Sequence, residues 1–580
     1  MRVREQITDN LLPVVRKLTK KDIDVQVSIS ERLENGDYFT NVALRLGPVL
    51  KKKPLDVAYE IKRELESLKF SEIEKVEVAP PGFINFFLSR RYLISAMSRI
   101  REKGSKFGNS DVLKNQKVMF EFTDPNPFKE FHIGHLYSNI IGESLSRLFE
   151  SQGAHVLRAC YQGDVGLHVA KAIYGMQKLK KELPDENAPL SIRAQFMGRA
   201  YSLGSRDYES NESIKTEINE LNKKIYSIYS SSGSDPSLKR IYEKGRAWSL
   251  EYFESIYERL GTKFERYYFE SEVGKAGLKL VREFLKKGVF EESDGAIIFP
   301  GEKYARLDPT DKSRQGLHNR VFINSLNLPT YEAKDLGLAA AKFADFPYDK
   351  SIILTGQEQV DYFKVVLRAL MEINPDLALK TTHITHGMVR LSSGKMSSRT
   401  GDVITGEWLM DEAVSRISKA YPDMDGPTAQ KVGLAAIKYA LLKGSIGSDM
   451  EFSFDESISL TGASGPYLQY AYVRTKSVIE KNHKARIMRQ EINAEKGLNP
   501  EELAVLRSLE HFEEIVSEAK VRLAPNLIAE YLFDLAQKFN LFYQKHKIAG
   551  NSFRLELTSA VGQGLKNGLA LLGIETVKHM

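Results

Sequence analysis

Two short stretches far apart in the chain constrain its fold most. Asp124-Pro-Asn-Pro-Phe-Lys-Glu-Phe-His-Ile-Gly-His135 follows an apolar run of strand type, Lys117-Val-Met-Phe-Glu-Phe122. After it, Leu136, Ile140, Ile141, Leu145, Leu148 and Phe149 recur at helical spacing. Strand, Pro-rich loop and amphipathic helix form the opening unit of a nucleotide-binding α/β fold. Loose N–H groups and the positive dipole end at the helix start favour phosphate. His132 and His135 share one side of the first turn. Gly134 between them has no side chain, which leaves room for a base or ribose against the backbone. Taken alone, a helix start that holds two histidines by chance would read the same way.

The second stretch weakens that alternative. Thr382 to Leu391 reads as a strand, and Ser392 to Thr405 as a glycine- and serine-rich loop containing Gly394-Lys-Met-Ser-Ser-Arg399. Lys395 offers a point charge to a triphosphate and Ser397 and Ser398 offer hydroxyls. A solvated surface loop is the plain alternative. In this order, the two stretches resemble the paired ATP-binding signatures of class I aminoacyl-tRNA synthetases. The resemblance implies ATP contacts from His132, Gly134, His135, Lys395, Met396 and Ser397. One departure is Ser398, where the usual loop has a second lysine. Many arginyl-tRNA synthetases share that loss and carry a lysine just before the first signature, the position of Lys129.

Further stretches resemble that family across nearly the whole chain. They are Glu121-Phe-Thr-Asp-Pro-Asn126, Gly163-Asp-Val-Gly166, Leu328-Pro-Thr-Tyr-Glu-Ala-Lys-Asp335 and Gly465-Pro-Tyr-Leu-Gln-Tyr-Ala-Tyr-Val-Arg474. Chemistry agrees with the implied amino acid, because a planar guanidinium pairs best with a fixed bidentate carboxylate. Tyr331 and Asp335 are four apart, so Asp335 could pair with the guanidinium and Tyr331 could cover it. Gln359 lies where the apolar run Ile352 to Leu354 gives way to a helix, at the carboxyl end of a strand. Glu121 and Asn126 are expected on the loop delivering the first signature, holding the α-amino and carboxylate ends. By family match these five form the expected arginine site. The plain alternatives are a helix salt bridge for Asp335 and core packing for Tyr331.

The implied reaction needs no nucleophilic side chain. The arginine carboxylate attacks the α-phosphate of ATP, and a ribose hydroxyl of the tRNA's terminal adenosine then takes the arginyl group. Positioning and cations aimed at phosphate carry such catalysis, with Mg²⁺ accompanying ATP. Lys129, His132, His135 and Lys395 are the expected catalytic residues. The resemblance also implies that activation requires bound tRNA.

Composition fits a multidomain globular chain: 580 residues, 42% apolar and 27% charged. A net charge of +7 favours a polyanion without proving one. The single cysteine, Cys160, excludes an intramolecular disulfide and a cysteine-rich zinc site, so no zinc or other metal ligation is expected. No apolar stretch reaches spanning length and the N-terminus has no signal-peptide core, which makes the cytoplasm the expected address. A monomer is expected.

The expected architecture is multidomain α/β. Residues 1–110 would form an α+β module placed on the tRNA elbow. Residues 111–405 would form a Rossmann-type parallel-sheet catalytic domain with a helical insertion around 178–260. A helical connector would follow at 406–463, then an all-α anticodon-binding domain at 464–580. Leu503, Leu506, Leu509, Phe512 and Val516 mark one core stripe there, and Leu532, Leu535, Ala536, Phe539 and Phe542 another. Tyr467, Tyr470 and Arg474 are weaker, exposed candidates for anticodon contact, beside the basic run Lys481 to Arg489. His383 and His386 lack metal-ligand partners at suitable spacing. The rivals are a lysyl- or glutamyl-type synthetase, a tRNA-binding paralogue without activation, and a non-synthetase adenylyltransferase.

Overall fold

The computed structural model describes residues 3–30, 32–66, 71–228, 235–307, 315–392, 404–482 and 497–580. Its centre is a five-stranded, all-parallel sheet. In spatial order the strands are Thr381–His386, Lys350–Gly356, Lys117–Glu121, His155–Gln162 and Arg266–Phe269. The chain lays down Lys117–Glu121 first and builds outward on one side. It then crosses over and builds outward on the other, the doubly wound order. The direction reverses between Lys117–Glu121 and Lys350–Gly356, and ligands of such sheets bind in the crevice beyond those carboxyl ends.

The helix after the first strand, Ile133–Ser151, departs from the amphipathic expectation. Leu136, Ile140, Ile141, Leu145, Leu148 and Phe149 are buried, but so are Ser138, Asn139, Glu143, Ser144 and Ser146 on its polar side. The polar side lies against the far end of the chain. Ser144 Oγ donates to the Leu571 carbonyl at 2.9 Å and Arg147 Nη1 to that of Ala570 at 3.2 Å. Nearby, the buried Lys438 ammonium donates to the carbonyls of Leu260 (2.7 Å) and Gly573. Burial pulls its pKa down to about 8, with Arg147 adding to the effect.

Thr382 to Leu391, expected as one strand, is two. Thr381–His386 completes the central sheet, and Val389–Leu391 pairs in parallel with Met450–Phe452. Gly387 marks the break: a methyl there would lie 2.2 Å from the Ser448 carbonyl oxygen. Only glycine lets the chain pass that backbone and change partners.

Between strands His155–Gln162 and Arg266–Phe269 the chain forms the helices Leu190–Ser210, Glu212–Tyr226 and Pro236–Leu260. They pack beside the crevice, where Tyr201 meets Lys129, Tyr226 meets Lys334 and Tyr242 meets Asp164. The stretch Ser230-Ser-Ser-Gly-Ser-Asp235 reads in sequence as a loop at the insertion's tip; it lies outside the described residues, save Asp235, which caps the third helix.

Near the N-terminus, Ile73–Ala79 and Phe83–Leu88 flank the Pro80-Pro81-Gly82 turn in a four-stranded antiparallel sheet. This module docks on the C-terminal helix Pro500–Arg522, a contact that sequence did not suggest. Asp37, fully buried, pairs with Arg507 at 2.7 Å and also accepts from the Leu88 N–H. Tyr38 Oη donates to Glu514 at 2.9 Å and Tyr92 Oη to Glu510 at 2.6 Å. The helices Gly465–Lys481, Pro500–Arg522, Asn526–Lys545 and Ser552–Leu571 form the C-terminal bundle. Both expected stripes line its core, with Leu503 half-buried at the edge of the first.

Candidate active site

The loop from Thr123 to Phe131 is tied by hydrogen bonds to three elements. Ser138 Oγ accepts from the Thr123 N–H, Asp124 Oδ1 from the Tyr161 N–H at 2.7 Å, and Ser249 Oγ from the Phe128 N–H at 2.9 Å. Thr123, Asp124 and Phe128 all have positive φ. Such strain in non-glycine residues persists only where surroundings over-determine it, and it gathers at functional sites.

At the helix start the two histidines cap each other. His132 Nδ1 accepts from the Gly134 N–H at 3.1 Å and the His135 N–H at 3.4 Å. His135 Nδ1 accepts from the His132 N–H at 3.3 Å, and the rings stack with centroids 3.5 Å apart. A neutral imidazole that accepts at Nδ1 carries its proton on Nε2. Both histidines are neutral near pH 7. Burial, then nearby Lys129, lowers His132 to about 4, and burial with the His132 and Lys129 charges holds His135 well down. The pair is therefore a set of two Nε2–H donors. Lys129 lies 5.3 Å from the Tyr201 ring centroid, its Nζ over the ring.

Lys395, Met396 and Ser397 lie outside the described residues, as do Ser398 and Arg399. The chain beyond them returns to the first signature. Ile133 N–H donates to the Ile404 carbonyl at 2.9 Å and Gly406 N–H to that of Phe131 at 2.8 Å, with His132 and Thr405 as an antiparallel bridge.

A knot of acids gathers at the carboxyl ends of the central strands, Glu121 and Glu270 buried and Asp124 and Asp335 half-buried. Asp335 feels the charges of Glu121 and Glu270, and Asp124 those of Glu121 and Asp335, while Lys342 and Lys334 are the buried cations among them. Lys342 pairs with Glu121 at 2.6 Å, and Lys334 with Glu270 at 2.5 Å and Tyr226 Oη at 2.9 Å. Burial works to lower the Lys334 pKa, but Glu270 and Tyr226 outweigh it. Asp335 accepts from Tyr362 Oη at 2.6 Å and has no cation partner among the described residues. Burial raises its carboxyl to about 8; the Tyr362 hydrogen bond opposes that and the neighbouring acids add to it. A methyl on Gly163 would lie 2.3 Å from Asn126 Oδ1 and 3.0 Å from Glu270 Oε1, so glycine permits this convergence.

Glu121 needs a correction of place. Expected on the loop, it is the last residue of its strand, and Lys342 holds its carboxylate from below. Glu121, Asp335 and Lys342 border one small cavity with Tyr348 and Phe363. Tyr331 and Asp335 do begin the helix Tyr331–Asp345, with Asp335 turned inward and Tyr331 54% exposed at the rim, its ring near Lys334. Gln359 ends the turn after strand Lys350–Gly356, three residues before Tyr362.

Sequence reasoning passed over Glu270, Lys334, Lys342 and Tyr362. It quoted Asp164 within a motif without seeing what the side chain does. Asp164 accepts from Tyr242 Oη, Arg246, and the N–H and hydroxyl of Ser271, joining the insertion to the helix that begins with Glu270. His383 and His386 sit in packing roles. His383 stacks on Phe363 and is bonded to Thr355 at 2.8 Å, and His386 packs edge-on against Tyr137. Among the described residues no cluster of three His, Cys, Asp or Glu could hold a metal.

Tyr467, Tyr470 and Arg474, expected as exposed, are half-buried. Arg474 donates to Asn540 and to Tyr470 Oη and lies between the rings of Tyr470 and Tyr543, while Asn540 donates to Tyr467 Oη. The residues after Asn482 in the basic run lie outside the described residues.

Comparison with known proteins agrees with this geometry. Residues 97–454 match the family model for the catalytic domain of class I (R) tRNA synthetases. Residues 1–88 match the arginyl-tRNA synthetase N-terminal domain, and 468–580 the DALR anticodon-binding domain. An arginine–tRNA ligase of Clostridium kluyveri is 31% identical, over 97% of this chain and 98% of that protein. One of Borreliella afzelii is 28% identical, over 100% and 99%. Among solved structures, Thermus thermophilus arginyl-tRNA synthetase shares the fold with a TM-score of 0.81 at 22% identity, covering 100% of both chains. That of Plasmodium falciparum gives 0.76 at 21%, covering 100% of this chain and 99% of the other. The chain belongs to the arginyl family of class I tRNA synthetases.

Proposed function

We propose that this protein activates L-arginine with ATP to arginyl-adenylate and pyrophosphate, then transfers arginine to the terminal adenosine of its tRNA. The observation that carries the reading is Asp335, a half-buried carboxylate turned into the crevice, with acids around it and no cation of its own among the described residues. Such a group is costly alone and is satisfied by a guanidinium. Glu270 adds a second carboxylate, Tyr331 a ring at the rim, and Asn126 and Gln359 polar groups from the two flanking strand ends.

In the first step the arginine carboxylate attacks the α-phosphorus and pyrophosphate leaves. The Nε2–H groups of His132 and His135 donate to phosphate oxygens as charge builds, without the desolvation cost of a second cation. Lys129 and Lys395 supply the positive charge, with Mg²⁺ travelling on ATP, and Gly134, Met396 and Ser397 complete the nucleotide contacts. In the second step a ribose hydroxyl of the terminal adenosine attacks the arginyl carbonyl and AMP departs.

In this reading residues 1–110 meet the tRNA elbow and 464–580 the anticodon, with Tyr467, Tyr470 and Arg474 near it. The protein acts as a cytoplasmic monomer. Among the described residues no helix is long and apolar enough to cross a membrane.

ATP–pyrophosphate exchange with each amino acid, with and without total tRNA, tests the reading. Exchange with arginine alone, and only when tRNA is present, is the expected result. Binding of tRNA without exchange under any condition would leave a non-catalytic relative instead.

A further inference from the structure

The helix Glu270–Lys286 carries a line of basic residues that the chemistry above leaves idle. Lys275, Lys279, Arg282 and Lys286 are all exposed and recur every three or four residues along one face. With Leu278 and Glu283 they line a single open groove. The Glu283 carboxylate is taken by Lys287 at 2.7 Å, and Arg282 spends one N–H on Asn327. Several other exposed helical lysines do sit against a nearby acid, as Lys215 does with Glu212, Lys223 with Glu220 and Lys364 with Asp361. Lys275, Lys279 and Lys286 have no ion-pair partner among the described residues.

Four cations between Lys275 and Lys286 span about 17 Å of helix. A small anion is gripped by groups that converge on one point. A line of this length suits an extended polyanion with its charges in a row. The direction of the line matters too. The helix begins at Glu270, inside the acid knot, and Lys275 stands only about 8 Å further along its axis. A strand lying on these residues has its near end at the candidate active site.

We infer that the Lys275–Lys279–Arg282–Lys286 face binds the phosphate backbone of the tRNA acceptor end, guiding its terminal adenosine to the crevice. This rests on the ligase reading for its partner, while the contact itself is electrostatic and independent of base sequence.

The test is a triple variant, Lys275→Gln, Lys279→Gln and Lys286→Gln, assayed with full tRNA and with an acceptor-stem minihelix across a range of salt. Removing one phosphate contact lowers the slope of log affinity against log salt by about 0.7–0.9, so a drop of about two to three is expected. The Michaelis constant for tRNA should rise at least tenfold. The turnover at saturating tRNA and the arginine requirement should stay unchanged. A control, Lys303→Gln with Lys364→Gln, should leave both RNA affinities as they were. Unchanged affinity in the triple variant would overturn the proposal. So would weakening confined to full tRNA, or an equal effect in the control. Binding is read directly, so stripe-dependent minihelix binding by a wild type that fails to charge arginine would support the contact and sink the ligase reading.

Discussion

At the residue scale, the proposed arginine pocket turns on how Asp335 holds its proton. Its carboxyl is raised to about 8 by burial, so without substrate it is mostly protonated at neutral pH. A guanidinium needs the ionised form, and binding must therefore expel a proton below that pH. The Michaelis constant for arginine is expected to fall up to tenfold per pH unit as pH rises towards 8, and to level off above it. Tyr362→Phe removes the hydrogen bond that opposes the upward shift, and should move the bend to higher pH. A profile that ignores this substitution would remove Asp335 as the titrating group. Asp335→Ala should raise the arginine requirement by roughly thirtyfold to a few thousandfold, from about 2–5 kcal/mol for a broken buried charge pair. The ATP requirement should change little. Steady-state kinetics with each substrate varied in turn separates the two. Lys129→Ala should slow adenylate formation severely if Lys129 supplies the charge that Ser398 cannot, and single-turnover measurements would read this directly.

The same scale shows what the sequence reveals of the site and what it hides. His132, Gly134 and His135 are neighbours in sequence, so their mutual capping follows from spacing. Tyr331 and Asp335 are joined by a helix period. Glu270, Lys334, Lys342 and Tyr362 escaped because nothing local marks them. Glu270 opens a helix rich in lysine, and a buried Lys342 reads on paper like any solvated lysine. Their meaning arises only when strands far apart in sequence lie side by side, as Glu121 and Ile353 do.

At the scale of elements, the site depends on how closely two helices approach. Helix Glu270–Lys286 lies against Tyr331–Asp345 through glycines. A methyl on Gly277 would lie 1.9 Å from the Ala333 carbonyl oxygen, and one on Gly337 2.3 Å from that of Val273. Gly277→Ala must push the second helix away, at a cost of about 1–3 kcal/mol. Because that helix carries Asp335, the arginine requirement should worsen more than the ATP requirement, alongside a lower melting temperature. Equal kinetic changes would show that the helix moves as a unit with the histidines. The parallel-sheet fold class was legible from the first strand, loop and helix. The division of Thr382–Leu391 into two strands was not, since the second half pairs with the distant segment Met450–Phe452.

At the scale of the whole molecule, the N-terminal module is coupled to the helical bundle by buried polar groups. Asp37 and Arg507 form an ion pair out of water, so Asp37→Ala would strand a buried guanidinium at a cost of about 3–5 kcal/mol. Hydrogen exchange should then speed up at Tyr38–Thr40 and Phe83–Leu88 before it does in the central sheet. Uniform acceleration would mean that the two regions unfold as one. The domain order could be read along the sequence. This docking could not, because its residues resemble ordinary surface charge until both partners are folded.

The link between the helix proposed to meet the nucleotide and residues 570–573 bears on how the protein comes into being. Ser144 meets Leu571 across 427 residues of chain. On the ribosome the helix bearing His135 is made long before the carbonyls that finish its polar side. A nascent chain can therefore build the catalytic sheet early, yet its nucleotide-site helix stays half-dressed until the final bundle helix arrives. Competence to handle ATP should switch on late in synthesis rather than grow with chain length.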